Sequence, residues 1–291
     1  MDLQTTMKKR WLYLAVGVVG MLFVGILYGW SILKVPFAES FGWSESSLAA
    51  AYTISIGFYC FGNICCGYIC KKLPTKTTLI AAGALILIGF LWTSRQTGSI
   101  LSMYLSYGVC VGFGIGIVYG ICISAASAWF PDRTGLASGT MMMGFGISVM
   151  LLGNIISGLF DSIGWRMTYT ILAFVIFAVV FVCALILRLP TPQDVLPSPQ
   201  KKTAKADDDM GQNNFSFSEV VRRPSYWIFF VYGTAGASVG SAMISLARDV
   251  ALSLGAAAAL ATHWSAFCPY LTARAVWSGA FCLTRWAAGR P

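Results

Sequence analysis

The chain has 291 residues, of which 57% are hydrophobic and only 11% are charged, and its formal net charge is +9. Soluble domains carry about 25% charged residues, so this composition argues against a soluble enzyme or binding module. A basic balance could indicate a nucleic-acid partner, but here the basic residues flank long apolar runs. Their positions report membrane topology, and no nucleic-acid binding is expected.

Seven apolar segments are long enough to cross a bilayer, which takes roughly 20 helical residues for a ~30 Å hydrocarbon core. They cover about 11–33, 48–70, 77–94, 99–128, 135–158, 167–187 and 225–246. The first follows three basic residues, but its apolar run is too long for a signal peptide and lacks a small-residue cleavage site. The sequence therefore predicts an all-α polytopic membrane protein.

The distribution of basic residues predicts the orientation, since Lys and Arg concentrate in cytoplasmic loops. On the predicted cytoplasmic side lie Lys8, Lys9, Arg10, Lys71, Lys72, Lys76, Arg133, Arg188, Lys201, Lys202, Lys205, Arg222 and Arg223. On the other side lie Lys34, Arg95, Arg166 and Arg248. A plasma (inner) membrane protein with a cytoplasmic N-terminus is the resulting prediction.

The chain divides into four predicted parts, the last of which is the tail over 262–291. Residues 1–188 form a six-helix bundle, and residues 189–224 form a polar cytoplasmic linker with too little apolar surface to fold alone. Residues 225–261 hold a seventh helix and the start of an eighth. Six helices, a long linker and a new span match the first half of a transporter that is built from two six-helix bundles.

The fourth apolar segment has glycines at four-residue intervals, and the fifth begins with another small residue. Small residues let helix backbones approach closely in lipid. Two interpretations stay open for this stripe: static helix packing, or a surface along which helices slide or rock during a transport cycle, with a role in gating. The glycines are Gly108, Gly112, Gly116, Gly120 and Gly135.

A tight polar turn, WFPDRTGLASG at 129–139, separates the fourth and fifth segments. Trp129 and Phe130 are expected at the lipid headgroups, and Pro131 is expected to end the fourth helix. Asp132 is expected to accept hydrogen bonds from the free N–H groups of the fifth helix. Arg133 is expected on the cytoplasmic side, within reach of phosphates or neighbouring loops.

This turn resembles that of the oxalate/formate antiporter family of the major facilitator superfamily. Three further motifs agree with that family: GILYGWSIL at 25–33, GWRMTY at 164–169 and RRPSYW at 222–227. The resemblance covers about 10–261. It implies a major-facilitator fold and a secondary carrier for small carboxylates such as oxalate, formate, lactate or pyruvate, which works by alternating access.

In that family, aromatic side chains on helices one and four line the substrate site, and the resemblance points to Tyr28 and Tyr119, with Trp30 beside the first. Asn63 is a further candidate, since polar groups inside spans are costly and often functional. Core packing is the alternative for the aromatic residues and interhelical hydrogen bonding is the alternative for Asn63. The cationic partners of the substrate lie on later helices in relatives.

The tail over 262–291 lacks the uncharged run expected of an eighth helix. Regrouping the codons by one base permits an apolar span followed by a D-x-x-G-R-R-type loop, so we interpret the tail as out of frame. The expectation is an incomplete form that does not transport by itself.

The same residues also bear on other functional classes and on ligands. A seven-helix sensor agrees with the number of spans but not with the long linker after the sixth span. A stable half-bundle with a structural or regulatory role stays open as an alternative. The spans offer no catalytic pair and no metal-ligand spacing, so neither an enzyme nor a cofactor is expected, and the chain is predicted to be monomeric. The cysteines within spans are predicted to be small packing residues.

Overall fold

The computed structural model describes residues 3–190 and isolated positions between 219 and 253. The predicted linker, seventh helix and out-of-frame tail therefore lie outside the continuously described residues. Within 3–190 the chain forms helices and no strand, which confirms the all-α prediction.

Six of these helical stretches are long and apolar enough to cross a membrane: Lys9–Phe41, Glu45–Lys72, Thr75–Ser94, Ile100–Trp129, Thr134–Ile163 and Trp165–Ile186. We number them spans 1 to 6. They coincide with the first six predicted segments and extend three of them, those of spans 1, 2 and 5, by several residues. The extensions arise because polar residues at helix ends continue the backbone hydrogen bonding past the apolar run.

Spans 1 and 4 are not uniform α-helices. Span 1 consists of α1 (Leu3–Val24), a 3₁₀ segment (Gly25–Gly29), α2 (Trp30–Leu33) and α3 (Val35–Phe41). Span 4 begins with α6 (Ile100–Met103), passes through a π-helical segment (Tyr104–Val111) and ends with α7 (Gly112–Trp129). Such departures inside a helix are frequent at functional sites. Spans 2, 3, 5 and 6 are the single helices α4 (Glu45–Lys72), α5 (Thr75–Ser94), α8 (Thr134–Ile163) and α9 (Trp165–Ile186).

The turn between spans 1 and 2 follows standard helix-end chemistry. Gly42 ends α3 with a φ of 62°, a left-handed conformation that favours glycine. Ser44 then caps α4, since its side-chain oxygen accepts a hydrogen bond from the Ser47 N–H at 3.3 Å. This turn closes the end of the bundle opposite the N-terminus.

The spans pack around one buried core, with three pairs in close contact. Span 1 meets span 5 at Gly25, where an added Cβ would clash with the Phe145 carbonyl. Span 3 meets span 6 at Gly83, where a Cβ would lie 3.1 Å from Val180. Spans 2 and 4 form the third close pair, where a Cβ on Gly112 would lie 2.5 Å from the Ser55 carbonyl oxygen. A further contact joins spans 1 and 6, since the Tyr169 hydroxyl donates to the Leu33 carbonyl at 2.8 Å.

Candidate functional site

Four aromatic side chains from four different spans meet inside the bundle. The ring of Phe145 on span 5 lies 4.9 Å from Tyr28 on span 1 and 5.4 Å from Tyr119 on span 4, both edge to face. Tyr59 on span 2 completes the group, at 5.3 Å from Tyr119 and 6.2 Å from Phe145. We call these four residues the aromatic cluster.

Local backbone structure places each member. Tyr28 lies in the 3₁₀ segment of span 1, one turn after Gly25, whose missing side chain lets span 1 approach Phe145 on span 5. Tyr59 is brought towards Tyr119 because Gly116 packs directly on the Tyr59 carbonyl. Close backbone contact between spans therefore determines the position of the cluster.

The cluster is accessible as well as packed. Tyr28, Tyr59 and Tyr119 are each only partly buried, whereas Phe145 is 3% exposed. Asn63 is exposed and lies four residues after Tyr59, one turn further along span 2. Its side-chain oxygen lies 2.7 Å from where a Cβ on Gly120 would be. The structure thus brings Tyr28, Tyr119 and Asn63 into one region.

Trp30 is placed differently from the two tyrosines. Its side chain is 1% exposed, its indole N–H donates to the Leu48 carbonyl at 3.0 Å, and its ring lies 4.6 Å from that of Tyr107. With its only donor already used, Trp30 joins spans 1, 2 and 4 and does not join the aromatic cluster. Sequence reasoning grouped it with Tyr28 because the two are neighbours in the chain.

Sequence reasoning missed Tyr59 and Phe145. A usable signal existed for Tyr59, because it is four residues before Asn63 and so lies on the same helical face. No local signal singles out Phe145 among the apolar residues of span 5.

The cluster offers a particular chemistry. Phenolic hydroxyls donate hydrogen bonds, and the rings around them exclude water. Further hydroxyls lie deeper: those of Tyr52 and Tyr107 are buried and have no hydrogen-bond partner among the described residues. Such an arrangement favours a small polar ligand with acceptor oxygens.

Charged residues of the described part lie at the two ends of the bundle. At the end opposite the N-terminus, the Lys34 ammonium lies 2.6 Å from the Glu45 carboxylate, with side chains 6% and 68% exposed. The sequence placed Lys34 beyond the first span, but span 1 continues through it to Phe41. Span 1 therefore contains a buried basic residue.

At the other end, the 129–133 turn is anchored by span 1. The Arg10 guanidinium donates to the Asp132 carboxylate at 2.9 Å, with side chains 5% and 15% exposed, and lies 4.7 Å from the centre of the Phe130 ring. The Arg133 guanidinium lies 3.8 Å from the other carboxylate oxygen and is 62% exposed. A nearly buried ion pair thus joins the start of span 1 to this turn.

Two expectations for the turn are wrong. The fifth helix has no side-chain cap at its N-terminus, because the Asp132 carboxylate is engaged by Arg10 instead. Trp129 and Phe130 are both 1% exposed and face protein rather than lipid headgroups. The Trp129 indole N–H donates to the Arg188 carbonyl at 2.6 Å, so the aromatic pair joins span 4 to the end of span 6.

The glycine stripe of span 4 lies against span 2. A Cβ on Gly112 would come within 2.5 Å of the Ser55 carbonyl oxygen, and one on Gly108 within 2.7 Å of the Ile54 side chain. Gly116 and Gly120 continue the same contact towards Tyr59 and Cys66. Gly135 lies in the first turn of span 5, partly buried, and its carbonyl accepts a hydrogen bond from the Ser138 hydroxyl.

Six apolar spans around an aromatic, hydroxyl-lined region define a polytopic helical membrane protein with a candidate small-ligand site. The Major Facilitator Superfamily model matches residues 12–290, so the chain belongs to that superfamily.

Curated relatives refine the comparison. The chain is 28% identical over 255 residues to the oxalate:formate antiporter of Oxalobacter formigenes, which covers 85% of this chain and 58% of the relative. It is 25% identical over 249 residues to the uncharacterized MFS-type transporter YhjX of Escherichia coli K12, covering 85% and 59%. Human monocarboxylate transporter 11 is 25% identical over 180 residues, covering 62% and 38%. The chain thus spans about three fifths of the length of the first two relatives.

Proposed function

We propose that this chain forms the N-terminal bundle of a secondary carrier that exchanges small carboxylates, such as oxalate, formate, lactate or pyruvate, by alternating access. The observation that supports this most directly is the aromatic cluster, to which spans 1, 2, 4 and 5 each contribute one ring. The names of the relatives, an oxalate:formate antiporter and a monocarboxylate transporter, agree with that ligand class.

In this proposal the hydroxyls of Tyr28, Tyr59 and Tyr119 donate hydrogen bonds to a substrate carboxylate, and the buried ring of Phe145 excludes water from the inner side of the site. A hydrogen bond to a charged group contributes about 1.5–3 kcal/mol. Two or three such bonds therefore give a weak to moderate affinity for a small anion. The cluster contains no cation, so the remaining positive charge comes from elsewhere in the carrier. Asn63 provides an additional polar contact at the open side of the cluster.

The proposed carrier lies in the plasma (inner) membrane with its N-terminus in the cytoplasm. The support is the excess of Lys and Arg on the predicted cytoplasmic side. At that end of the bundle lie Arg10, Lys71, Arg133 and Arg188. A single chain holds the candidate site, in line with a monomeric carrier.

We expect Tyr119→Phe and Tyr59→Phe each to weaken oxalate binding by about tenfold, because each removes a hydrogen bond to a carboxylate while preserving the ring. The measurement is equilibrium binding of radiolabelled oxalate to the 291-residue chain in lipid nanodiscs. The assay measures binding and not transport, because the aromatic cluster belongs to this chain and the chain spans about three fifths of the length of its first two relatives.

The matched control is Tyr68→Phe on the same span. Tyr68 is 70% exposed and its ring lies 5.9 Å from the Lys71 ammonium, away from the cluster. Its substitution is expected to leave oxalate affinity unchanged. Equal losses in all three variants, or no loss in any of them, would show that the cluster hydroxyls do not bind the carboxylate.

A further inference from the structure

Two cysteines on span 2 lie in contact with each other near the N-terminal end of the bundle. The sulfurs of Cys66 and Cys70 are 3.7 Å apart, one helical turn from each other on the same face. A disulfide has a sulfur–sulfur distance of about 2.05 Å, so both residues are free thiols. Cys122 also interacts electrostatically with Cys66 and Cys183, but among the described residues only Cys66 and Cys70 have their sulfurs within hydrogen-bond distance.

The surroundings of the pair favour a particular order of reaction. Cys70 is partly buried and lies two residues before the end of span 2, so it is accessible from that end. Cys66 is 4% exposed and packs against span 4, where a Cβ on Gly120 would lie 2.9 Å from its sulfur. A reagent that reacts first with Cys70 is therefore held beside a second, sheltered thiol.

We propose that Cys66 and Cys70 form a dithiol site for trivalent arsenicals. Soft sulfur ligands select soft, thiophilic centres. An arsenic(III) oxide R–As=O condenses with the two thiols: two As–S bonds form, and the arsenical oxygen leaves as water with both thiol protons. Arsenic remains trivalent, so no oxidant or reductant takes part.

The absence of net charge on the reactants and the product favours an arsenical at this site inside the bundle. Thiols, arsenical and product are all neutral, so the reaction places no charge in the low-dielectric interior, where an unpaired ion is costly. A divalent metal ion such as Zn²⁺ prefers four protein ligands, so it would require more than these two sulfurs. Among the described residues, no group of three or more Cys, His, Asp or Glu side chains could provide them.

The test uses phenylarsine oxide on the purified 291-residue chain, followed by a wash with excess monothiol and intact mass measurement. We expect one phenylarsine group per chain that survives the monothiol and is released by a dithiol such as dithiothreitol. Loss of either sulfur leaves a single As–S bond, so Cys66→Ser and Cys70→Ser should each lower the affinity for the reagent by about 10²-fold.

Cys65→Ser is the matched control, since Cys65 adjoins Cys66 but lies on another face of the helix, and it should retain the label. Cys70→Ser provides the test if the more buried Cys66→Ser does not fold. Monothiol-resistant label that persists in Cys70→Ser would overturn the proposal, as would its loss in Cys65→Ser or its absence from the unchanged chain.

Discussion

Asp132→Ala is expected to lower the free energy of unfolding by about 3–5 kcal/mol, since removal of one partner leaves an unpaired buried charge. The charge left behind is the Arg10 guanidinium, whose side chain is 5% exposed and whose Nε already has no hydrogen-bond partner among the described residues. The ion pair joins positions 122 residues apart, so its loss releases span 1 from the turn between spans 4 and 5. Denaturant titration of the purified chain in mixed micelles measures the change.

Two further variants separate the charge effect from a general loss of packing. Arg133→Gln removes a 62% exposed guanidinium at 3.8 Å from the same carboxylate and should change stability by less than about 1 kcal/mol. The double variant Arg10→Met/Asp132→Leu removes both charges and should recover most of the loss. If the double variant were as unstable as Asp132→Ala, the unpaired charge would not be the cause.

Gly116→Val is expected to prevent spans 2 and 4 from packing and to lower the free energy of unfolding by about 3 kcal/mol or more. A Cβ at Gly116 would clash with the Tyr59 carbonyl, a backbone atom that cannot rotate away as a flexible side chain can. Because Tyr59 belongs to the aromatic cluster, the same change should abolish oxalate binding. Size-exclusion chromatography and thermal unfolding of the variant measure the first effect.

Gly57→Val is the matched control for this prediction. Gly57 lies on span 2 with no atom within 4 Å of an added Cβ, so the substitution should shift stability by less than about 1 kcal/mol. A Gly116→Val chain that unfolds at the same temperature as Gly57→Val would contradict the close contact between spans 2 and 4.

Sequence alone predicted what depends on local composition. The apolar runs gave the six described spans because the length of a membrane helix is dictated by bilayer thickness. The tyrosines of spans 1 and 4 were selected through the resemblance, and the structure places both beside one phenylalanine. The N-terminal orientation stays a prediction that rests on the distribution of basic residues.

Sequence reasoning failed for side chains whose partners are determined by packing between distant parts of the chain. Asp132 has the position and residue type of a helix cap, but Arg10 lies 122 residues away and engages its carboxylate. Trp129 has the amphipathic character of an interfacial residue, yet the end of span 6 covers it and accepts its hydrogen bond. Neither partner can be identified from residues near the turn, because each depends on how spans 1 and 6 pack.

The most direct test of the proposed carboxylate site is equilibrium binding of radiolabelled oxalate to the unmodified chain in nanodiscs, with unlabelled competitors. The proposal predicts saturable binding that formate, lactate and pyruvate displace and that neutral glycerol does not. Non-saturable binding, or equal displacement by glycerol, would contradict a carboxylate site in this bundle.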